Sequence, residues 1–452
     1  MVTDNSVNPK RLLNRAALTV RHLNFSILLG CAIASSSAFG DVSDVIQNVT
    51  AASVKIRVEL DHGFSEDDMG TGRWHGSGFI IDSDRGWIMT NAHVAGSGPA
   101  ELTVQFADDT QRFEAERVFV DSRHDIAIIS MKSEDIPDGA RSLTLACDYE
   151  LIRGTEVVSV GHPEGHDFTV TLGVLSGTRT FDADPELYST DVVVEAGSSG
   201  GPVVSRDSGQ VLGIATAAYD DSDIGLLTPA REACHISELL AAGMDPSRPR
   251  LGFQMLYVDG RQTNEVGQLF IDGLPVQLGD RIISIDGAPW NPELHGEIED
   301  VLRKFQKLDI PIALEREGAV IPVALNNSKL GSLHERDWLH FSGLTFGEAK
   351  HQDSAYRNGR IQGSVIRVQS IDDSYFDTSD LGFTDYGVLL SANGEVFVTL
   401  SEFYNYLISQ QDDYVRLVVR DWDLTDEWIG YPFAHEILVE DLKSSFTDDR
   451  SE

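Results

Sequence analysis

Cysteine is scarce in this chain, with only Cys31, Cys147 and Cys234 among 452 residues. So few do not make a disulfide framework, and their spacing matches no zinc site. Positive charge is also scarce. Lysine and arginine total 35 against 72 aspartates and glutamates, a formal net charge of −37. A field of that sign repels nucleic acid and anionic lipid, which argues against polyanion binding and for a soluble acidic surface. Long apolar runs are missing too, since none reaches the ~20 residues of a bilayer-spanning helix. What is present is ordinary globular composition, 41% apolar and 8% aromatic. At ~150 residues per domain the length leaves room for about three domains.

The N-terminus reads as an address. Lys10, Arg11, Arg15 and Arg21 precede the mostly apolar "LNFSILLGCAIA", which leads into "SSSAFGD". Basic, apolar and small-residue regions in that order predict a signal peptide over residues 1–40, cut after Ala38 or Gly40. The alternative is a lipoprotein box in "LLGC", which would anchor the chain through Cys31. Export leaves Cys147 and Cys234 where thiols oxidise, either paired or free. In "GHPEGHD" the glycines and proline oppose a helix presenting His162 and His166 on one face, so no metal is expected.

From about Val54 to Pro229 short strands alternate with Gly, Asp and Ser turns, as in "SVKIRVEL", "GSGFIID", "DIAIISM" and "GQVLGIATAAY". That pattern predicts a β-sandwich or barrel without long helices. "PAREACHISELLAAGMDPSRPR" then reads as a helix and a proline-punctuated linker, which is a domain boundary. A weak repeat follows. Its first copy runs from "RLGFQM" through "LGDRIISIDGAPW" and "NPELHGEIEDVLRKF" to "IPIALEREGAVIPVAL". The spacing of Leu294, Ile298, Val301, Leu302 and Phe305 predicts one helix with one buried face, capped by Asn291 with Pro292 at its first position. The second copy begins at "FSGLTF" and contains the helix "TLSEFYNYLISQ", where Thr399 and Glu402 have capping-box spacing.

The stretch "DVVVEAGSSGGPVV", residues 191–204, suits either a tight glycine turn or a nucleophile at Ser199. His93 in "MTNAHVAG" and Asp125 in "DSRHDIAII" supply what a serine nucleophile needs, a base and a carboxylate that holds the base in one tautomer. Asp121 competes with Asp125 for that role, and His124 is expected to face solvent. "GSSGG" also satisfies the α/β-hydrolase elbow, but that fold places its partners after the serine and runs a helix out of the turn. The order His, Asp, Ser in a strand-rich segment is that of a chymotrypsin-like double barrel.

"TNAHV", "DIAII", "GHPEG" and "TDVVVEAGSSGGPVV", with the repeated module behind them, resemble the HtrA/Deg family of trypsin-like serine proteases carrying two C-terminal PDZ domains. The resemblance implies a mainly β protein with a chymotrypsin-like double β-barrel protease domain followed by two small α+β PDZ-like domains. Its expected boundaries are 41–240 for the protease, 250–328 and 335–440 for the PDZ-like units, the second degenerate, and 441–452 for an acidic tail. By position it makes His93 the general base, Asp125 its orienting acid, Ser199 the nucleophile, and Gly197 with Ser199 the oxyanion donors. Ser198 stands where the family usually has asparagine. Val192, Val193, Ile214, Ala215 and Thr216 are expected to line a pocket for a small or medium aliphatic side chain. Leu251, Gly252 and Phe253 are the expected carboxylate-binding turn of the first PDZ-like unit, and "SGL" at Ser342–Leu344 is a candidate counterpart. The implied activity is an exported, periplasmic, ATP-independent serine endopeptidase without a cofactor. Its expected partners are misfolded or unfolded proteins and peptide C-termini, with no nucleic acid. The alternative is a switched-off or non-catalytic peptide-binding chaperone or scaffold of the same fold. A homotrimer stays open, because "DVSDVIQNVTAA" lacks the aromatic residues through which family members often trimerise.

Overall fold

Strand alternation organises the first half of the chain. The computed structural model describes residues 42–60, 64, 72–163, 166–179, 185–218, 224–249, 251–258, 261–269, 273–348, 366–371, 387–411, 413–422 and 429–446. The expected leader, Cys31 and residues 447–452, half of the expected acidic tail, lie outside them. Strands β1 (Ser53–Leu60), β2 (Gly72–Asp82), β3 (Trp87–Thr90), β4 (Ala100–Phe106), β5 (Phe113–Asp121) and β6 (Ile126–Ser130) close a barrel in the order β1-β2-β3-β6-β5-β4. A second closed barrel follows, built from β7 (Glu156–Gly161), β8 (Thr169–Arg179), β9 (Leu187–Thr190), β10 (Pro202–Ser205), β11 (Val211–Ala218) and β12 (Gly225–Pro229).

Several strands are apolar throughout because both of their faces are covered. In β6, Ala127 and Ile129 point into the first barrel with Ile56, Ile80 and Val104. Ile126 and Ile128 alternate with them into a layer between the barrels, where they meet Phe79, Val158, Val160 and Ile214. Period two distributes one short sequence between two cores. The helices α1 (Val42–Ala52) and α3 (Ala230–Ala241) seal that layer with Val45, Val49, Ala233 and Ile236, while α2 (Ala92–Ala95) is a single turn after β3. Cys147 and Cys234, left open by the sequence, form a disulfide with Cα atoms 5.7 Å apart, tying the segment after β6 to α3.

The linker leads to a six-stranded sheet of β13 (Phe253–Val258), β14 (Arg261–Leu269), β15 (Arg281–Ile285), β16 (Ala288–Pro289), β17 (Asp309–Arg316) and β18 (Ala319–Asn326), with β13 at one edge. The single helix expected over "NPELHGEIEDVLRKF" is two, α4 (Pro292–His295) and α5 (Ile298–Arg303). Gly296, at φ 83°, adopts a left-handed conformation that ends α4. Ile298 and Leu302 consequently enter the core while Leu294 is left 77% exposed. Asn291 does cap α4, accepting the Glu293 N–H.

A seven-stranded antiparallel sheet completes the described chain, with β19 (Trp338–Phe341), β20 (Leu344–Glu348), β21 (Ile366–Ile371), β22 (Val388–Ala392), β23 (Tyr414–Trp422), β24 (Ile429–Leu438) and β25 (Lys443–Ser444). The helix α6 (Leu400–Ile408) carries the expected Thr399/Glu402 capping box and buries Leu400, Phe403 and Leu407. "SGL" forms a hairpin turn. Ser342 and Gly343 take φ 47° and 77° between the paired Phe341 and Leu344, as a two-residue hairpin requires. The two sheets fit PDZ-like units, and the architecture is mainly β with a double barrel. Among the described residues no helix is long and apolar enough to cross a membrane.

Candidate active site

His93 sits on α2, a turn too short to hold itself, so neighbours pin it. Arg117 donates through Nε and Nη2 to the Ala95 carbonyl at 2.9 and 2.7 Å, and Trp74 Nε1 donates to the Val94 carbonyl at 2.9 Å. Asp125 ends the turn between β5 and β6 at φ 53°, a left-handed conformation that aspartate tolerates better than most non-glycine residues. Its backbone carbonyl accepts from Asn91 Nδ2 at 2.8 Å. His93 Nδ1 lies 2.8 Å from Asp125 Oδ2 and 3.0 Å from Oδ1, and the His93 N–H donates to Oδ1 at 3.1 Å. A carboxylate on Nδ1 favours the tautomer that leaves Nε2 as the acceptor.

Ser199 lies in the turn between β9 and β10, on the opposite barrel. Both flanking glycines are dictated by space. A Cβ on Gly197 (φ 96°) would fall 2.4 Å from the His162 carbonyl and 2.8 Å from His75 Nε2. One on Gly200 (φ 86°) would fall 2.0 Å from the Ser77 carbonyl. Ser77 of β2 stitches the turn to the first barrel. Its N–H donates to the Ser199 carbonyl at 2.8 Å, and its hydroxyl to the Gly197 carbonyl at 2.7 Å. Among the described residues, the backbone amides of Gly197 and Ser199 have no protein acceptor.

Thr216 joins the two halves. Its hydroxyl donates to Asp125 Oδ2, and its carbonyl accepts the Ser199 hydroxyl at 3.0 Å. Sequence reasoning put Thr216 in the substrate pocket and overlooked Ser77. "GSG" before an apolar run marks a close backbone approach at Ser77, whereas nothing local marks the reach of Thr216 to Asp125. The other pocket candidates divide by burial. Val192 and Ala215 are buried inside the second barrel, and Ile214 packs between the barrels, because β11 is covered on both faces. Val193 is exposed. Leu251 and Phe253 bury their side chains in the core of the six-stranded unit, on either side of Gly252 at φ 70°.

His124 does not face solvent. It is 5% exposed, with Nδ1 3.1 Å from Asp121 Oδ2. Burial opposes its charge, but the Asp300 and Asp121 carboxylates outweigh that and push it up to about 9. Asp121 therefore partners His124, while Asp125 partners His93. His162 is enclosed against Phe168, with burial and Lys55 drawing it down to about 4, whereas His166 is exposed, so the two rings do not converge.

Residues 76–214 match the model of the trypsin-like peptidase domain. Over 268 residues the chain is 31% identical to the putative serine protease HhoA of Synechocystis sp., covering 52% of this chain and 66% of that one. Over 233 residues it is 31% identical to a probable periplasmic serine endoprotease DegP-like of Halomonas elongata, covering 47% of this chain and 48% of that one. The matches thus span between about half and two thirds of these relatives. A solved HtrA-type protease AlgW with decapeptide shares the fold at a TM-score of 0.51 and 20% identity, covering 63% of this chain and 98% of that one. With its trypsin-like domain, its double barrel and these relatives in agreement, the chain belongs to the HtrA/Deg family of trypsin-like serine proteases.

Proposed function

We propose that the protein is an exported, ATP-independent serine endopeptidase that degrades misfolded or unfolded proteins through an acyl-enzyme. The observation that carries this reading is the His93–Asp125 pair bonded on one barrel, with Ser199 of the other barrel linked to the same carboxylate through Thr216. In the reaction the Ser199 hydroxyl leaves the Thr216 carbonyl by rotation about its Cα–Cβ bond and attacks the scissile carbonyl. His93 Nε2 takes its proton and returns it to the departing amine, while Asp125 stabilises the imidazolium. The unengaged amides of Gly197 and Ser199 serve the developing oxyanion, at about 3 kcal/mol per donor. Water, deprotonated by the same imidazole, then releases the acyl group.

Export to the periplasm is supported by the basic–apolar–small order of residues 1–40 and by the Cys147–Cys234 disulfide, a bond that persists in oxidising compartments. Units at 250–328 and 335–440 follow the protease domain at 41–240. In the first of them, β13 is an edge strand directly after the Leu251–Phe253 turn. An extended C-terminal peptide would pair there as an added strand, with its carboxylate at that turn. One observation favours a resting enzyme or binding scaffold instead, namely the Ser199 hydroxyl turned to Thr216. Casein digestion separates the two. The wild type is expected to digest it and Ser199→Ala is expected not to. A wild type inert toward unfolded casein, even with C-terminal peptides added, would favour the scaffold.

A further inference from the structure

The turn that carries Asp125 runs from Ser122 to Asp125, between the paired residues Asp121 and Ile126. The neighbouring charged side chains are all engaged by the unit that follows the protease barrels. Asp121, its side chain 3% exposed, accepts from Arg303 Nη2 at 2.7 Å, and its other oxygen accepts the Arg123 N–H at 3.0 Å. Arg123 Nη2 donates to both oxygens of Glu297 at 3.0 and 3.2 Å. His124 Nε2 lies 3.6 Å from Asp300 Oδ2 and 3.9 Å from Glu232 Oε2 of α3. Arg248 of the linker faces Glu297, Glu299 and Asp300. Glu297, Asp300 and Arg303 lie on α5 or immediately before it. One residue before Asp121, the Val120 N–H donates to Ser332 Oγ at 2.8 Å in the segment that leaves the same unit.

We infer that α5 is a positioning element for the reaction: Arg303 and Asp300 clamp the turn through Asp121 and His124 and thereby hold Asp125 where it orients His93. This rests on the protease reading above. The physical case has two parts. Asp125 occupies a left-handed backbone conformation, less favourable for an L-residue than the ordinary regions, so its place depends on what holds the turn. Besides Asn91, His93 and Thr216, which bond Asp125 itself, the rest of its turn is fixed by buried ions on Asp121 and His124, and removing one partner leaves the other uncompensated, so the turn rearranges rather than relaxing by a small amount. Displacing an orienting carboxylate by about 1 Å costs on the order of 100-fold in rate.

The test uses the full chain. Arg303→Met and the nearly isosteric Asp300→Asn are compared with Arg316→Met, which breaks the Arg316–Asp280 pair elsewhere in the same unit. Hydrolysis of a chromogenic peptide is read as kcat and KM separately. The low-field proton signal of the His93 Nδ1–H is recorded beside it, because that signal reports the His93–Asp125 bond whether or not the enzyme turns over. The clamp variants should lose about 10- to 100-fold in kcat with KM unchanged, and should lose or broaden the signal, while Arg316→Met keeps both. Folded clamp variants with wild-type kcat and an intact signal would overturn the inference, as would an equal loss in Arg316→Met. If Arg303→Met does not fold, Asp300→Asn decides. A wild type without hydrolysis would count against the protease reading, and the proton signal would still judge the clamp.

Discussion

Thr216→Val removes the hydroxyl that donates to Asp125 while keeping the shape of the side chain and the carbonyl that holds Ser199. A hydrogen bond to a charged group contributes about 1.5–3 kcal/mol. Asp125 keeps two other donors, the backbone N–H and Nδ1 of His93, so the lower end applies. About 1.5 kcal/mol corresponds to roughly tenfold in rate. The expected result is therefore a kcat near one tenth of wild type on a short peptide, with KM unchanged and a melting temperature within a few degrees. The split between the two constants is what discriminates. A raised KM with unchanged kcat would return Thr216 to the substrate pocket, and no change in either would refute the link between the barrels.

Gly197→Ala places a methyl group against the His162 carbonyl and His75, so the oxyanion turn must shift. Loss of one aligned donor predicts a kcat lower by about 100-fold or more, with the fold retained by circular dichroism. Replacing both Cys147 and Cys234 by serine frees a loop whose ends are 87 residues apart, and chain entropy predicts a loss on the order of 4 kcal/mol, measurable by denaturant titration with and without reductant. The His124 charge gives a pH signature. Its folded value of about 9 lies above the unfolded ~6.5, so the stabilisation is complete below about 6.5 and fades as pH rises through about 9. Thermal unfolding from pH 6 to 10 should show that alkaline decline in wild type and a weaker one in His124→Gln, while an identical decline in both would contradict it.

What the sequence made legible was local. "TNAHV", "DIAII" and "GSSGG" each carry their chemistry in a few residues, and chain order pointed to a double barrel before any coordinate was needed. The fold class followed from strand alternation, and the α6 capping box from a spacing of three. What escaped was tertiary. Asp125 gains Thr216 across 91 residues, and Asp121 gains Arg303 across 182, distances at which no periodicity speaks. The polar residues beside His124 in the chain give no sign of its burial, because its surroundings come from α3 and α5. The burial of Ile214 and Ala215 was hidden for a related reason. Alternation assigns one face of β11 to a core, but the layer between the barrels buries the other as well. The helix over 291–305 failed at one position, where helical spacing continued through Gly296 and the backbone did not.

The central claim is that Ser199 is a nucleophile activated by His93. Its most direct test is reaction of the purified mature protein with a fluorophosphonate at neutral pH, with the adduct located by peptide mass spectrometry. The account predicts a single adduct on Ser199. No adduct, or one spread over other serines, would contradict it.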